Sequence, residues 1–408
     1  MHRTLACAMA LTMVVAAHAQ DTKSEIESLK RRVEELESRP AAKPATNAFN
    51  PDISLILQGT AARASQNPND YQITGFAPPG SNAGGEVAPP RRGFSLGESE
   101  LIISSNIDPY FRGQLVAALT PESELEVEEA FFQTLALGRG FIVKGGRFLS
   151  SIGYQNSIHQ HAWDFQDAPL PYKAFLGGRL NDDGVQAKWL APTDLLVELG
   201  AEAGRGRQFP GSDPNQNGAG MWSLFGHIGG DAGASGAWRA GLSYLKTSPE
   251  ERAFTDAGIV QSFTGDSKLW IADAIFKWNT TLKLQGEYFR RTEDGSLAYA
   301  GAPGGYSSRQ SGWYAQAVYQ FMPRWRAGYR YDRLSHGTVS SDLTQAQAPL
   351  LLTDYNPTRN SVMVDWSATE FSRLRLQVAQ DKSRAGVTDN QLLVQYIFSL
   401  GAHGAHTF

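Results

Sequence analysis

The chain has 408 residues with a formal net charge of -4, and it contains 41 Gly, 9 Trp, 14 Tyr and 20 Phe. Only 19% of residues are charged, which argues against a nucleic-acid-binding protein, because that class needs a concentrated basic face. Apolar residues make up 41% and show no dominant short period, which excludes collagen, coiled-coil rods and wholly disordered chains. The many Gly and aromatic residues favour short, twisted strands over helices.

The first 19 residues are predicted to be a cleaved signal peptide. A short positive segment ending at Arg3 precedes an apolar stretch over residues 5–17, and Ala17-His18-Ala19 matches the small-x-small cleavage pattern before Gln20. The single Cys, Cys7, lies within this segment. The exported chain is therefore predicted to contain no thiol.

Residues 20–39 are predicted to form a short periplasmic coiled-coil helix. Apolar residues at positions 26, 29, 33 and 36 have spacings of three, four and three, with charged residues on either side, and Pro40 ends the pattern. About two heptads are marginal as an isolated coiled coil. The segment is thus interpreted as an aid to oligomerisation, with a solvated amphipathic helix as the alternative. Residues 40–51 are a Pro/Ala-rich linker.

From Asp52 onward, apolar and polar residues alternate with a period of two. In residues 313–321, aromatic and Ala side chains share one face of the predicted strand. In residues 324–332, Trp and Tyr lie on one face, and Arg and Asp lie on the other. Strands of about ten residues with this pattern cross a bilayer when tilted. After residue 20, no apolar run reaches the roughly 20 residues that a membrane-spanning helix needs. We therefore predict an all-β fold for residues 52–408, a transmembrane antiparallel β-barrel.

The spacing of the alternating segments predicts about 16 strands. Short turns alternate with mostly long, polar, Gly- and Pro-rich loops, which is the pattern of outer-membrane barrels. Several aromatic residues fall next to the short turns, as expected for a girdle at one membrane interface. The predicted strands are residues 52–64, 94–106, 109–119, 125–135, 140–148, 183–191, 194–204, 220–230, 237–246, 267–278, 281–291, 310–321, 324–333, 359–367, 372–381 and 390–400.

A sheet in lipid must pair all its backbone groups, so it must close, and its inward side chains then face water. The last predicted strand is alternating, and the chain ends in an aromatic residue, Phe408. Such an ending resembles the signal by which barrels are recognised for assembly. These features predict a protein of the outer membrane of a Gram-negative bacterium, with membrane lipid and the barrel assembly machinery as partners.

The order of signal peptide, short heptad helix, Pro/Ala linker and barrel resembles bacterial porins of the phosphate-selective (O/P-type) family. The stretch from Val143 to Phe148, followed by Ile152-Gly153, is similar to that family's strand leading into its third loop. Residues 159–165 and 400–406 also look like a subgroup labelled metal-regulated or TonB-dependent receptors. The resemblance implies a homotrimer and a third loop that narrows the channel.

The third long loop, residues 149–182, is too apolar to be left in solvent. It is predicted to fold into the barrel and form a constriction, because long loops with aromatic content are usually packed or functional. An extracellular lid or a surface for trimer contacts is the alternative. The candidate constriction residues are His159, His161, Trp163, Asp164, Phe165 and Tyr172.

Charge on the inward faces determines which solutes a channel passes. Clustered Arg favours anions, because its planar fork makes paired hydrogen bonds and stays charged. Inward Glu residues at positions 98, 100, 126, 128, 198, 202 and 287 oppose this, so weakly cation-selective or neutral behaviour stays open. The candidate anion path consists of Arg112, Arg147, Arg239, Arg324, Arg326, Arg330, Arg373 and Arg375.

The sequence thus predicts a porin for passive diffusion of small solutes, with anions as the favoured class, without a cofactor. Two His pairs, His159/His161 and His403/His406, suggest a metal site, for which His159 and His161 are the candidate ligands. The alternative function is therefore an uptake barrel or receptor for a metal ion or metal chelate. An enzyme is not predicted, because no motif such as G-x-S-x-G and no fixed nucleophile–base spacing is present.

Overall fold

The computed structural model describes residues 51–401, apart from Gly84, Glu122 and the side chain of Asn82. The predicted signal peptide, the coiled-coil helix, almost all of the linker and Phe408 lie outside the described residues. No helix in the described part of the chain is long and apolar enough to cross a membrane.

In the described residues, eighteen strands form one sheet, with two short helices in the connections. Helix α1 is Leu170–Leu176, and helix α2 is Pro349–Leu352. The strands are β1 Asp52–Ala64, β2 Gly93–Leu96, β3 Ser99–Asn106, β4 Phe111–Leu119, β5 Leu125–Thr134, β6 Phe141–Leu149, β7 Asn181–Leu190, β8 Leu196–Gly204, β9 Met221–Ala232, β10 Gly236–Thr247, β11 Arg252–Asp256, β12 Ile259–Trp278, β13 Leu282–Tyr299, β14 Ala302–Met322, β15 Trp325–Ser341, β16 Thr358–Thr369, β17 Ser372–Lys382 and β18 Asp389–Gly401.

These elements close into a 16-stranded antiparallel barrel, which confirms the predicted fold. Strands β2 and β3 both pair with β1 and act as one interrupted strand. Strands β10 and β11 pair one after the other along β12, so they also occupy a single position. The ring closes where β1 pairs with β18, from Ser54 opposite Gly401 to Ala64 opposite Gln391.

The outer face of the barrel is apolar, and the inner face is mostly polar, with one apolar area where the third loop packs. On β18, Leu392 and Phe398 are 42% and 48% exposed, whereas Gln391 and Gln395 on the opposite face are buried. Next to the short turns, exposed aromatic rings form neighbouring pairs, such as Trp325 and Trp366 with centroids 6.2 Å apart. This is the aromatic band expected at an interface between lipid and water.

Several strands are longer than predicted. Strand β14 has 21 residues, about 70 Å at 3.3 Å per residue, and residues 292–309, predicted as a loop, are the paired ends of β13 and β14 with a turn at Ala300-Gly301. Where the strands extend beyond the hydrocarbon layer of the membrane, their outer face need not be apolar. The alternation of apolar and polar residues is therefore lost there, although the strands stay paired. Strand β11, which the sequence placed in a loop, escaped prediction for the same reason.

The third loop lies unpaired between β6 and β7 over residues 150–180. It contains α1 and two short 3₁₀ turns. Its side chains Trp163, Tyr172 and Phe175 are buried in one cluster with inward-facing strand residues, among them Phe289 and Leu334. The loop therefore packs against the inner face of the sheet.

Candidate functional site

The third loop contacts two charged walls of the barrel. One wall is acidic and comes from the region of β3 and β5; the other is rich in Arg and comes from β13 to β17. Strands β1 and β18 separate these walls on one side, and β6 to β12 separate them on the other. The loop thus bridges opposite charges across the barrel.

The acidic wall depends on irregular pairing in two strands. Val116 of β4 pairs with Glu129, but Ala117 pairs with Val127, so Glu128 is an extra residue in β5. This β-bulge points two consecutive carboxylates, Glu128 and Glu129, inward, and both are buried. Glu126, which alternation also places inward, pairs with the buried Ala118 and is itself exposed.

A second irregularity adds two carboxylates to this wall. Gly59 pairs with Leu96 of β2, and Ile56 pairs with Glu100 of β3. Residues 57–58 of β1 therefore lie opposite three residues, 97–99, at the junction of β2 and β3, and one of these three is Glu98. Glu98 and Glu100 are both buried, the latter completely.

His159 of the third loop lies among these carboxylates. Its Nδ1 is 3.2 Å from Glu100 Oε2 and 3.3 Å from Glu128 Oε2, and its Nε2 is 3.2 Å from Glu129 Oε2. Burial lowers the pKa of His159, but the three carboxylates outweigh burial and raise this pKa well above its ordinary value. His161 stacks on His159 with ring centroids 5.7 Å apart, and its Nδ1 is 2.9 Å from Glu100 Oε1.

Asp167 is the centre of the contacts with the Arg-rich wall. Its carboxylate lies 2.7 Å from Arg359, 3.1 Å from Arg330 and 3.2 Å from Lys173, and all three cations are buried. Burial raises the pKa of Asp167, but Arg359, Lys173 and Arg330 more than offset burial and hold this pKa below its ordinary value. The carboxylate therefore stays ionised and fixes the loop to β15 and β16.

Asp164 makes a similar contact nearer the short turns. It is 2.8 Å from Lys283 and 3.1 Å from Arg326, and Arg326 also pairs with Asp365 at 2.6 Å. Burial raises the pKa of Asp164, but Lys283 and Arg326 lower it by a larger amount. The pKa of Asp164 therefore lies below its ordinary value. Two carboxylates of the third loop are thus locked to cations of the barrel wall.

The low pKa values of Asp164 and Asp167 predict a loss of stability in acid. Each folded-state pKa is below the unfolded value of about 4, so the stabilisation is complete above that value and is lost as the pH falls toward the folded pKa. We expect the free energy of unfolding in urea to fall as the pH drops below about 4. The Asp164→Asn/Asp167→Asn variant should start less stable and show a shallower fall; an equally steep fall would contradict the assignment.

A set of inward-facing cations lies near the short turns, and we call it the basic ring. Its members are exposed or half-buried. Among the residues that the structure describes, Arg112, Arg239 and Arg373 have no carboxylate within ion-pair distance, whereas Lys188 pairs with Glu198 at 3.1 Å. The basic ring consists of Arg112, Lys188, Arg239, Lys277, Lys283, Arg326 and Arg373.

The remaining candidate Arg residues lie elsewhere. Arg330 and Arg375 are buried beneath the third loop, and Arg375 donates to Trp163 O at 2.7 Å. Arg147 forms a partly exposed pair with Asp183 on the long-loop side of the basic ring. Arg324, predicted to face inward from a strand, is instead an exposed residue of the β14–β15 turn with a φ of 71°. The sequence placed this turn at residues 322–323, whereas the structure has it at residues 323–324, so Arg324 was counted as the first residue of the next strand.

The aromatic candidates of the third loop fix its position. Phe165 is buried against Val318 and Met363, and the Arg330 guanidinium lies 4.8 Å above its ring. The hydroxyl of Tyr172 donates to Glu287 Oε2 at 2.9 Å. Glu287 also accepts hydrogen bonds from the backbone of Tyr154 and Gln155, at 3.0 and 3.1 Å. The loop therefore meets polar partners along much of its length.

Sequence reasoning did not find all of the residues at this site. Glu129 was missed because a bulge breaks alternation, and Arg359 was missed although it shares the parity of Ser361 and Asp365. Asp167 and Arg179 stand in the apolar third loop, where a charged side chain needs a partner. That conflict was the available signal for both residues.

Comparison with known proteins places the barrel among outer-membrane folds. No protein-family model matches the chain. The trimer form of OmpT, an outer membrane protein of Vibrio cholerae, has a TM-score of 0.52 at 11% identity. The match covers 86% of this chain and 99% of the OmpT chain. The outer membrane channel DcaP of Acinetobacter baumannii has a TM-score of 0.54 at 10% identity, with 86% and 97% covered. The anion-selective porin from Comamonas acidovorans has a TM-score of 0.50 at 10% identity, with 86% and 99% covered.

These identities establish likeness of fold. A stronger similarity in sequence is to a protein of Aquifex aeolicus (strain VF5) that is described as an uncharacterized protein. The two are 32% identical over 389 residues, which cover 88% of this chain and 80% of the relative. The chain, folded as a 16-stranded barrel of the outer-membrane porin type, therefore belongs to the same family as this Aquifex aeolicus protein.

Proposed function

We propose that the protein is an outer-membrane porin, a water-filled channel for passive diffusion of small solutes with a preference for anions. The observation that carries this proposal is the inner face of the barrel, where many charged side chains surround an inserted loop that packs against one apolar part of the wall. The apolar outer face and the aromatic band suit a membrane. DcaP and the Comamonas protein, which share the fold, are described as a channel and a porin.

The third loop is the proposed constriction. It occupies much of the interior and leaves polar space on its β1–β18 side, where a cavity of about 330 Å³ is lined in part by Gln58, Thr60, Gln166 and Gln395. We propose that small solutes pass through this cavity, which the amide and hydroxyl groups in its lining would keep hydrated. The bonds of Asp164 and Asp167 to the wall would keep the width of this passage constant.

The basic ring supports the preference for anions. Lys277 of β12 stands directly opposite Lys283 of β13, although like charges opposite each other destabilise a sheet. Arg112, Arg239 and Arg373 add positive charge at the same end of the barrel. A ring of cations around a narrow, low-dielectric opening concentrates anions there.

The remaining assignments follow from this function. We place the protein in the outer membrane of a Gram-negative bacterium, exported by the predicted signal peptide, with lipid around it and the barrel assembly machinery as an assembly partner. A homotrimer is proposed, since OmpT is described in a trimer form. No catalytic role is assigned to the inner face.

Planar-bilayer recording tests the proposal. The purified protein should produce steady, ohmic conductance steps, and in a KCl gradient the reversal potential should have the sign of anion preference. Absence of conductance from the folded protein would contradict a diffusion channel. Conductance with a reversal potential of the opposite sign would contradict the preference for anions alone.

Selectivity should depend on the unpaired members of the basic ring. A unit charge about 8 Å away contributes roughly 0.5 kcal/mol in water, a factor of about two. We expect Arg112→Gln/Arg239→Gln to lower the anion-to-cation permeability ratio by about two- to fivefold. Arg324→Gln is the matched control, because Arg324 is exposed in a turn, and it should leave the ratio unchanged. Equal permeability ratios in the wild type and both variants would show that the basic ring does not cause the preference for anions.

A further inference from the structure

We propose that Glu100, Glu128 and His159 form a binding site for a divalent transition-metal ion of the zinc type. The ion would fasten the third loop to the β3–β5 wall. This proposal does not depend on the channel function. It differs from the pair suggested by the sequence, because His161 supports the site without being one of the three ligands.

The spacing of the three donor atoms fits a tetrahedral ion. Zinc binds imidazole nitrogen and carboxylate oxygen at about 2.0–2.2 Å, and the edge of a tetrahedron with such bonds is about 3.3–3.6 Å. His159 Nδ1 lies 3.2 Å from Glu100 Oε2 and 3.3 Å from Glu128 Oε2. The three donor atoms all lie within 4.8 Å of one another.

The same three atoms have no partners other than one another within the described part of the chain. Glu100 Oε2, Glu128 Oε2 and His159 Nδ1 are buried, and beyond the contacts of Nδ1 with the two oxygens none of them has a hydrogen-bond partner there. Buried polar atoms without partners are costly. Three such atoms directed at one another, from one loop and two strands, indicate a cation between them.

The other donor atom of each ligand is held in place by the protein. Glu129 lies 3.2 Å from His159 Nε2, which is the carboxylate–histidine arrangement that orients a metal-bound imidazole. His161 Nδ1 holds Glu100 Oε1 at 2.9 Å, and Arg179 bonds Glu128 Oε1. Each ligand therefore keeps a single atom directed at the common point.

Charge and donor type favour the same class of ion. Glu98, Glu100, Glu128 and Glu129 are buried close together, and Arg179 pairs with Glu98 and Glu128. A divalent ion would offset the remaining negative charge, which is expensive to bury alone. An imidazole with two carboxylates suits zinc and its neighbours, whereas calcium and magnesium prefer sites made only of oxygen.

Metal binding to the folded, detergent-solubilised protein tests the proposal. After treatment with a chelator and dialysis, zinc is titrated calorimetrically and the bound metal is counted by mass spectrometry. We expect one tightly bound zinc per chain and, with cobalt, the intense visible absorption of a tetrahedral site. A folded wild-type protein that retains no stoichiometric zinc would overturn the proposal, and the assay is independent of conductance.

Variants locate the ion. His159→Gln and Glu100→Gln should abolish stoichiometric binding, while His161→Gln, which removes a supporting contact, should weaken it by about 10- to 100-fold. His227→Gln is the matched control, since His227 contacts Glu198 at 3.0 Å outside the cluster, and it should bind zinc like the wild type. Circular dichroism and heat-modifiable gel mobility show whether each variant is folded. Zinc binding by folded His159→Gln at wild-type affinity would refute the assignment.

A measurement on the unaltered protein covers the case in which the variants do not fold. Since an ion that binds only the folded state stabilises it by mass action, zinc should raise the thermal midpoint of the chelator-treated wild type. Excess chelator should reverse the increase. A protonated His159 bridging the carboxylates without metal would leave the midpoint insensitive to zinc, and that result would also overturn the proposal.

Discussion

Replacing Asp167 by Asn should lower the free energy of unfolding by about 3–5 kcal/mol, the usual cost of removing one partner from a buried ion pair. The substitution keeps the size of the side chain and removes its charge. Arg330, Arg359 and Lys173 would then remain buried around a neutral amide. Urea unfolding in lipid vesicles, followed by Trp fluorescence, measures the change.

The matched control is Asp183→Asn. Asp183 pairs with Arg147 at 2.6 Å, but the side chains are 40% and 27% exposed, so solvent screens the interaction. We expect a loss of less than about 1 kcal/mol for this substitution. Equal losses for the two variants would show that Asp167 does not compensate buried charge in the way its contacts indicate.

Removing the inserted part of the third loop should produce the largest functional effect. In a variant with residues 155–178 replaced by a short Gly/Ser linker, the 16-stranded ring remains, and a ring of this size leaves an aqueous channel. We expect single-channel conductance to rise by about threefold or more. The loss of the buried aromatic cluster should also make the barrel less stable, so conductance is measured on protein shown to be folded.

Deletion of residues 215–218 is the control for shortening the chain. These residues are exposed in the loop between β8 and β9, and their removal should leave conductance unchanged. If folded protein without the third loop conducts like the wild type, the constriction lies elsewhere in the barrel.

The fold could be read from the sequence wherever lipid constrains it. Strands such as β1 and β18 were located to within a residue or two, because hydrocarbon outside and polar groups inside impose strict alternation. At the long-loop ends of β13, β14 and β15 this constraint ends while backbone pairing continues. The predicted loops there were therefore too long, and β11 was not found.

The site was less predictable because it arises from exceptions to the same rule. The inward faces of Glu100 and Glu128 followed from alternation, but Glu129 joined them only through a bulge. His159 was singled out for its neighbour His161, whereas its contacts are with carboxylates that lie 30 to 60 positions earlier in the chain. Which wall residue meets which loop residue depends on the packed geometry, and a local pattern does not encode it.

The third loop also spans the seam where the ends of the barrel meet. His161 contacts Glu100 of β3, and its carbonyl accepts a hydrogen bond from Arg373 of β17. Strands β3 and β17 flank the β1–β18 pair, so these contacts form a clasp across the join. Separating β1 from β18 would require breaking these two contacts as well as the backbone hydrogen bonds between the strands. The contacts can form only after β17 is in place. Closure of the barrel and insertion of the third loop should thus be a single late event in folding.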